Sequence, residues 1–235
     1  MLTESIIKIV DASKSFKNQK VLQNISLECR PGKIYGIIGR NGSGKTVLFK
    51  CICGFLKLDE GEIRVEGKKM GQDLDLLTNS GIIIEEPAFL KNENGYKNLE
   101  YLYMINNKKN RDHLIRILNK VGLDALSKKK VGNYSMGMRQ RLAIAQAIME
   151  DKEILILDEP MNGLDNQGVL EMRELFLELK ACGKTILLAS HNKEDINVLC
   201  DEVYEIDRGI MKRFKKFTVG TEIISVVSDS CSCLT

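Results

Sequence analysis

Eight consecutive residues constrain this chain more than any others: Gly39-Arg40-Asn41-Gly42-Ser43-Gly44-Lys45-Thr46. They fit G-x-x-x-x-G-K-[ST], a phosphate-cradling loop. An apolar run, Ile34–Ile38, precedes them, and a helix is predicted over Lys45–Cys53. Three glycines, Gly39, Gly42 and Gly44, let the backbone bend so that its N–H groups face an anion. The helix beginning at Lys45 turns its positive dipole end and unpaired N–H groups to the same point. The pattern predicts that Lys45 reaches the β- and γ-phosphates and that the Thr46 hydroxyl binds Mg²⁺. The nucleotide contacts are expected to run on from the loop to Val47.

The chain has 235 residues, enough for one large domain or a core with an inserted lobe. Its net charge of +3 is too small to argue for a nucleic-acid partner, and none is expected. Two basic clusters, Lys128–Lys130 and Lys212-Arg213 with Lys215-Lys216, read as solvated surface or as contacts to acidic lipid headgroups or a partner. Seven cysteines form no small-scaffold pattern, and four of them lie in apolar segments, which points to a reducing, cytosolic compartment. Cys231 and Cys233 have no histidine nearby, so a metal site there is disfavoured. The first residues have no signal-peptide pattern, and no stretch approaches 18 apolar residues, so a membrane role requires a separate chain.

Along the chain, Ile6–Val10 and Val21–Cys29 read as strands, followed by the turn signal Arg30-Pro31-Gly32. Gly61–Gly67 alternates as a strand, Asp73–Asn79 reads as a short helix, and Gly81–Ile84 as a brief buried strand. From Tyr96 to Glu150 strand signals vanish. Helices are predicted over 98–106, 112–121 (Leu114, Ile117, Leu118 and Val121 recur at helical spacing) and about 136–149. Ile154–Leu157 then resumes as a continuously apolar strand, as in a parallel sheet covered on both faces. A helix over 168–181 ends at Gly183, a buried strand follows over Thr185–Ala189, then a helix over 193–200 and a terminal hairpin, 202–206 with 210–214.

The phosphate loop needs a carboxylate on a neighbouring strand for the metal, and Asp158 at the end of Ile154–Leu157 supplies one. Adjacent residues at a strand end point to different sides, so Glu159 can face the attacking water as general base. His191 follows the strand Thr185–Ala189, at the sheet edge where open α/β sheets bind ligands, and is expected at the γ-phosphate. His113 has no such setting and reads as surface.

Together these residues resemble the nucleotide-binding subunit of an ABC transporter from Ile6 to Phe214. Gly39–Thr46 is similar to Walker A, and Ile154–Pro160 to Walker B with its catalytic glutamate. Asn162-Gly163-Leu164-Asp165 looks like the D-loop, and His191 like the switch histidine. Tyr134-Ser135-Met136-Gly137-Met138-Arg139-Gln140 resembles the signature, usually Leu-Ser-Gly-Gly-Gln, with only Ser135 and Gly137 kept at the γ-phosphate positions. Phe16 sits where the family stacks an aromatic on adenine. Glu85 falls where the family has its Q-loop glutamine; a carboxylate there accepts without donating, and it could orient water or Mg²⁺.

The resemblance implies an α/β fold: a P-loop NTPase core with a parallel sheet, an N-terminal antiparallel β subdomain and an inserted α-helical lobe. The ATPase domain would span 1–217, with the core at about 1–86 and 151–217, the lobe at about 87–150, and a short tail at 218–235. It also implies ATP and Mg²⁺ as ligands. Ser135 and Gly137 would act in trans, in a homodimer or with a paired ATPase subunit. A permease on a separate membrane chain would dock near Glu86–Leu90, through Phe89 and Leu90. The location implied is cytoplasmic, peripheral on the inner face of the membrane. The form Tyr-Ser-x-Gly-Met and the pair Glu85-Glu86 before Pro87 look like export or immunity ATPases for drugs or antimicrobial peptides. Two other readings stay open: a soluble ATPase acting on ribosomes or DNA, and a regulatory ATP-binding module with little turnover.

Overall fold

The computed structural model describes residues 4–17 and 19–214. Lys215, Lys216, Cys231, Cys233 and the tail 218–235 lie outside the described residues. In chain order the elements are β1 (Ile7–Phe16), β2 (Gln19–Cys29), β3 (Ile34–Ile38), α1 (Lys45–Ile52), β4 (Glu60–Val65), β5 (Lys68–Lys69) and β6 (Ser80–Ile83). Then come α2 (Gly95–Tyr103), α3 (Arg111–Lys120), α4 (Met136–Ile148), β7 (Ile154–Asp158), α5 (Asn166–Ala181), β8 (Thr185–Ala189), α6 (Lys193–Leu199), β9 (Glu202–Asp207) and β10 (Ile210–Phe214).

Two sheets result. The antiparallel one has the order β2-β1-β4-β5, and the other β10-β9-β3-β8-β7-β6. In the second, β9, β3, β8, β7 and β6 run parallel and only the edge strand β10 is antiparallel. The sheets meet where the Gln23 N–H donates to the Gly209 carbonyl at 2.8 Å, in the β9–β10 turn.

The apolar runs of the central strands split by parity. Ile34, Leu155, Leu157, Ile186 and Leu188 face one core, shared with α2–α5. Tyr35, Ile37, Ile154, Ile156, Leu187 and Ala189 face the other, shared with α1 and the antiparallel sheet. Successive strand side chains point to opposite faces, so a strand covered on both sides must be apolar throughout. Each such side chain, when fully buried, contributes roughly 1.5–3 kcal/mol. Helix α4 crosses β6 so closely that a Cβ on Gly81 would stand 1.8 Å from the Ala147 carbonyl oxygen, which requires glycine there.

Three expectations are corrected. Residues 73–79 form turns, not a helix. The Asp73 carboxylate accepts the Lys69 N–H at 2.8 Å, and the Asp73 N–H returns to the Lys69 carbonyl, so local bonds outcompete a helical ladder. His113 is buried, not on the surface. Its Nε2 lies 2.7 Å from the Met149 carbonyl oxygen and its ring packs on Tyr103. An imidazole on α3 therefore serves the carbonyl at the end of α4. Phe89, expected exposed, is half-buried against the lobe core, whereas Leu90 is exposed.

The thiols of Cys29, Cys51 and Cys53 are buried. Burial is the main cause that pushes Cys51 up to about 11 and Cys53 to about 12, so they behave as small apolar groups. Among the described residues, no helix is long and apolar enough to cross a membrane.

Candidate nucleotide site

The phosphate loop follows β3, Glu85 follows β6, Asp158 ends β7, and His191 follows β8. Parallel strands deliver all four to one sheet edge, the C-terminal one, where ligands bind in such folds. Five of the six described α-helices have a side-chain cap: Asn94, Asn110, Ser135, Asp165 and Asn192 each accept a first-turn N–H. Helix α1 has none. Its N-cap is Gly44 at φ 113°, a left-handed conformation that favours glycine. Its first N–H groups are therefore left for an external anion. Inside the same loop the Ser43 Oγ is buried without a hydrogen-bond partner, a second unsatisfied polar group.

Behind this cradle the charged groups already engage one another. The buried Lys45 ammonium donates to the Gly39 carbonyl at 2.7 Å and stands 4.0 Å from Glu159. The Thr46 hydroxyl donates to Asp158 Oδ2 at 2.6 Å. Burial raises the Asp158 carboxyl above its ordinary value, against the lowering effect of the Thr46 bond and the Lys45 charge. Glu159 turns the other way. Its Oε2 lies 2.9 Å from His191 Nδ1 and also accepts the His191 backbone N–H at 3.4 Å. Glu159 adopts φ 50° and Glu85 φ 65°, left-handed conformations that are strained for non-glycine residues and concentrate at functional sites.

A cavity of about 470 Å³ is lined by Asn41, Gly42, Ser43, Gly44, Lys45, Thr46 and Val47 together with Glu85, Asp158 and Glu159. Glu86, Met136, Gln140 and Asn162 also line it, with Val21 and Ile83. Gly39, Arg40 and His191 line a neighbouring cavity of about 230 Å³. Phe16, Ser135 and Gly137 reach neither of these two. Phe16 ends β1 with its ring exposed and Lys14 Nζ 5.7 Å from the centroid.

Ser135 caps α4 by accepting the Met138 N–H at 3.2 Å, and Gly137 is the second residue of that helix. The start of α4 rests on the loop after β7. Gln140 Nε2 donates to the Pro160 carbonyl at 2.9 Å, and Met136 packs over Gly163 so tightly that a Cβ there would sit 2.5 Å from Met136 Cγ.

Sequence reasoning missed two features. Lys50 bonds Glu85, and Arg173, buried on α5, bonds Asp195 and Glu194 on α6. The first could have been found as the i+4 neighbour of Thr46. The second pairs residues 22 apart and had no local signal.

Comparison with known proteins agrees with this geometry. The family model described as ABC transporter matches residues 22–162. The chain is 37% identical over 211 residues to the uncharacterized ABC transporter ATP-binding protein YybJ of Bacillus subtilis (strain 168), covering 90% of this chain and 97% of that one. It is 36% identical over 205 residues to the lantibiotic transport ATP-binding protein SrtF of Streptococcus pyogenes, covering 87% and 88% respectively. It also superposes on a dimeric ATP-binding cassette in a post-hydrolysis state bound to ADP and Pi. The TM-score there is 0.79 at 21% identity, with 90% of this chain and 100% of that one covered, a likeness of fold.

Proposed function

The chain belongs to the ABC transporter family as an ATP-binding, ATP-hydrolysing subunit, and from that premise we propose that it powers export of a substrate through a permease carried on a separate membrane chain. The observation that carries the reading is one sheet edge holding an uncapped α1, the Thr46–Asp158 pair and the Glu159–His191 pair. The relative SrtF, named for lantibiotic transport, supports an antimicrobial-peptide class of cargo.

In this reading the backbone N–H groups of Gly39–Val47 and the Ser43 hydroxyl wrap the triphosphate of ATP, and Phe16 stacks on its adenine. Lys45 bonds the β- and γ-phosphates. A hydroxyl and a carboxylate, Thr46 and Asp158, form a hard all-oxygen donor pair of the kind Mg²⁺ takes alongside phosphate oxygens and water. Held by these two residues, Mg²⁺ would supply positive charge to offset that of the phosphates. Glu159 accepts a proton from the attacking water as its oxygen bonds to the γ-phosphorus and the bond to ADP breaks. His191, held by Glu159, orients the γ-phosphate. Ser135 and Gly137 of a second ATPase subunit close over that phosphate, so the working unit is a dimer. Its place is the cytoplasmic, inner face of the membrane, with Leu90 and the lobe (about 87–150) turned to the permease.

The test is purification of the tagged chain from detergent-solubilised membranes of its own cells. An integral membrane chain should accompany it and stimulate its ATP turnover. Recovery with ribosomes or nucleic acid instead would defeat the transporter reading.

A further inference from the structure

The cavity that receives a polyanion is itself lined by four carboxylates, Glu85, Glu86, Asp158 and Glu159. Lys45 is one compensating cation on its wall. A second stands just behind it. Lys50, one turn beyond Thr46 on α1, donates to Glu85 Oε1 at 2.5 Å. The pair is partly open to water, with Glu85 66% exposed, so it contributes little to folding. Its value must lie elsewhere. Glu85 follows β6 in a strained left-handed conformation, and the bond to Lys50 fixes where its carboxylate points. Glu85 lines the same cavity as Thr46 and Asp158, which places the pair beside that site.

We propose that Lys50 is a positioning residue for ATP binding: through its bond to Glu85 it cancels the charge of that carboxylate and aims it, so that Glu85 can border the triphosphate beside the other acids of the cavity. This rests on the reading of Thr46 and Asp158 as the site that serves the phosphates and Mg²⁺. The competing explanation is that Lys50 is only a favourable cation in the last turn of α1. The two differ in their dependence on Glu85.

The experiment measures equilibrium binding of a fluorescent N-methylanthraniloyl-ATP to the full chain. It is run with EDTA and then over a Mg²⁺ series, for wild type, Lys50→Met, Lys50→Arg, Glu85→Gln and the Lys50→Met/Glu85→Gln double variant. Thermal melts check that each variant folds. An uncompensated charge near the site should weaken metal-free binding of Lys50→Met about five- to tenfold. Mg²⁺ should restore more of the affinity in that variant than in wild type. Lys50→Arg should bind like wild type. In the Glu85→Gln background, Lys50→Met should shift binding less than twofold. An equal loss in both backgrounds, or no loss in either, overturns the proposal. If wild-type binding does not respond to Mg²⁺ at all, it is the underlying Thr46–Asp158 reading that fails.

Discussion

Two helix starts in this molecule are proposed to serve γ-phosphates, α1 in its own chain and α4 across the dimer, and they are built differently. Helix α1 begins at Gly44 with no side-chain cap, beside a buried and unpartnered Ser43 hydroxyl. Helix α4 begins at Ser135, whose oxygen already accepts the Met138 N–H. The first start is unsatisfied on its own and, in the proposed reading, needs no second chain to hold an anion. The second is satisfied in isolation, yet a hydroxyl that accepts through a lone pair still has its own proton to donate. Ser135 can therefore cap α4 and bond a phosphate together. In the proposed reading, capture of ATP falls to α1 and completion of the site to α4 of another subunit.

The largest effect expected is for Glu159→Gln, because it removes the carboxylate bonded to His191 while leaving the Gly44 and Ser135 helix starts in place. Turnover should fall by about a hundred- to ten-thousandfold with ATP still bound. Size-exclusion chromatography with ATP should then show a dimer that wild type forms only transiently, with both helix starts on one nucleotide. Unchanged turnover would remove Glu159 from the role of base.

Lys45→Ala comes next. Losing a charged hydrogen bond worth about 1.5–3 kcal/mol should weaken ATP binding roughly ten- to a hundredfold, and with it dimer formation. A Lys45→Ala chain that still dimerised with ATP would break the assignment of capture to α1.

Ser135→Ala should separate the two starts. Removing the cap should cost about 1 kcal/mol of stability, read by denaturant titration. ATP affinity of the monomer should stay within twofold while ATP-driven dimerisation weakens. A loss of monomer affinity comparable to that of Lys45→Ala would mean that α4 serves the nucleotide in its own chain.

The smallest effect concerns two carboxylates with opposite shifts. Bonds from Lys109 and Lys97 hold Glu100, on α2 of the lobe, down at about 2, whereas burial raises Asp158. A depressed carboxylate stabilises the fold above its ordinary range and loses that contribution as pH falls towards about 2. Thermal melts of Glu100→Gln should run modestly below wild type at neutral pH and converge with it in acid. Curves that stay parallel to low pH would show that the ion pairs are idle.

Much of this was legible beforehand because the signals are local. The phosphate loop is a contiguous motif, and the doubly covered strands must be apolar at every position. Asp158, Glu159 and His191 are read from their places at strand ends. The misreadings arose where distant partners decide. His113 was taken as surface because its acceptor, the Met149 carbonyl, is 36 residues away. Residues 73–79 are the exception, decided locally: the Asp73 carboxylate holds the Lys69 amide four residues back in place of a helical ladder. Phe89 was given to a partner although the lobe covers much of it.

By itself, then, the sequence determined the kind of ligand and the order of elements, since glycine placement, helix starts and strand parity act over a few residues. Only the tertiary structure decided which charges meet. The Lys50–Glu85 bond, the Glu159–His191 pair and the seat of Met136 on Gly163 join segments that the chain separates by 35, 32 and 27 residues. Electrostatic and packing energies depend on distance in space, and no spacing along the chain encodes that.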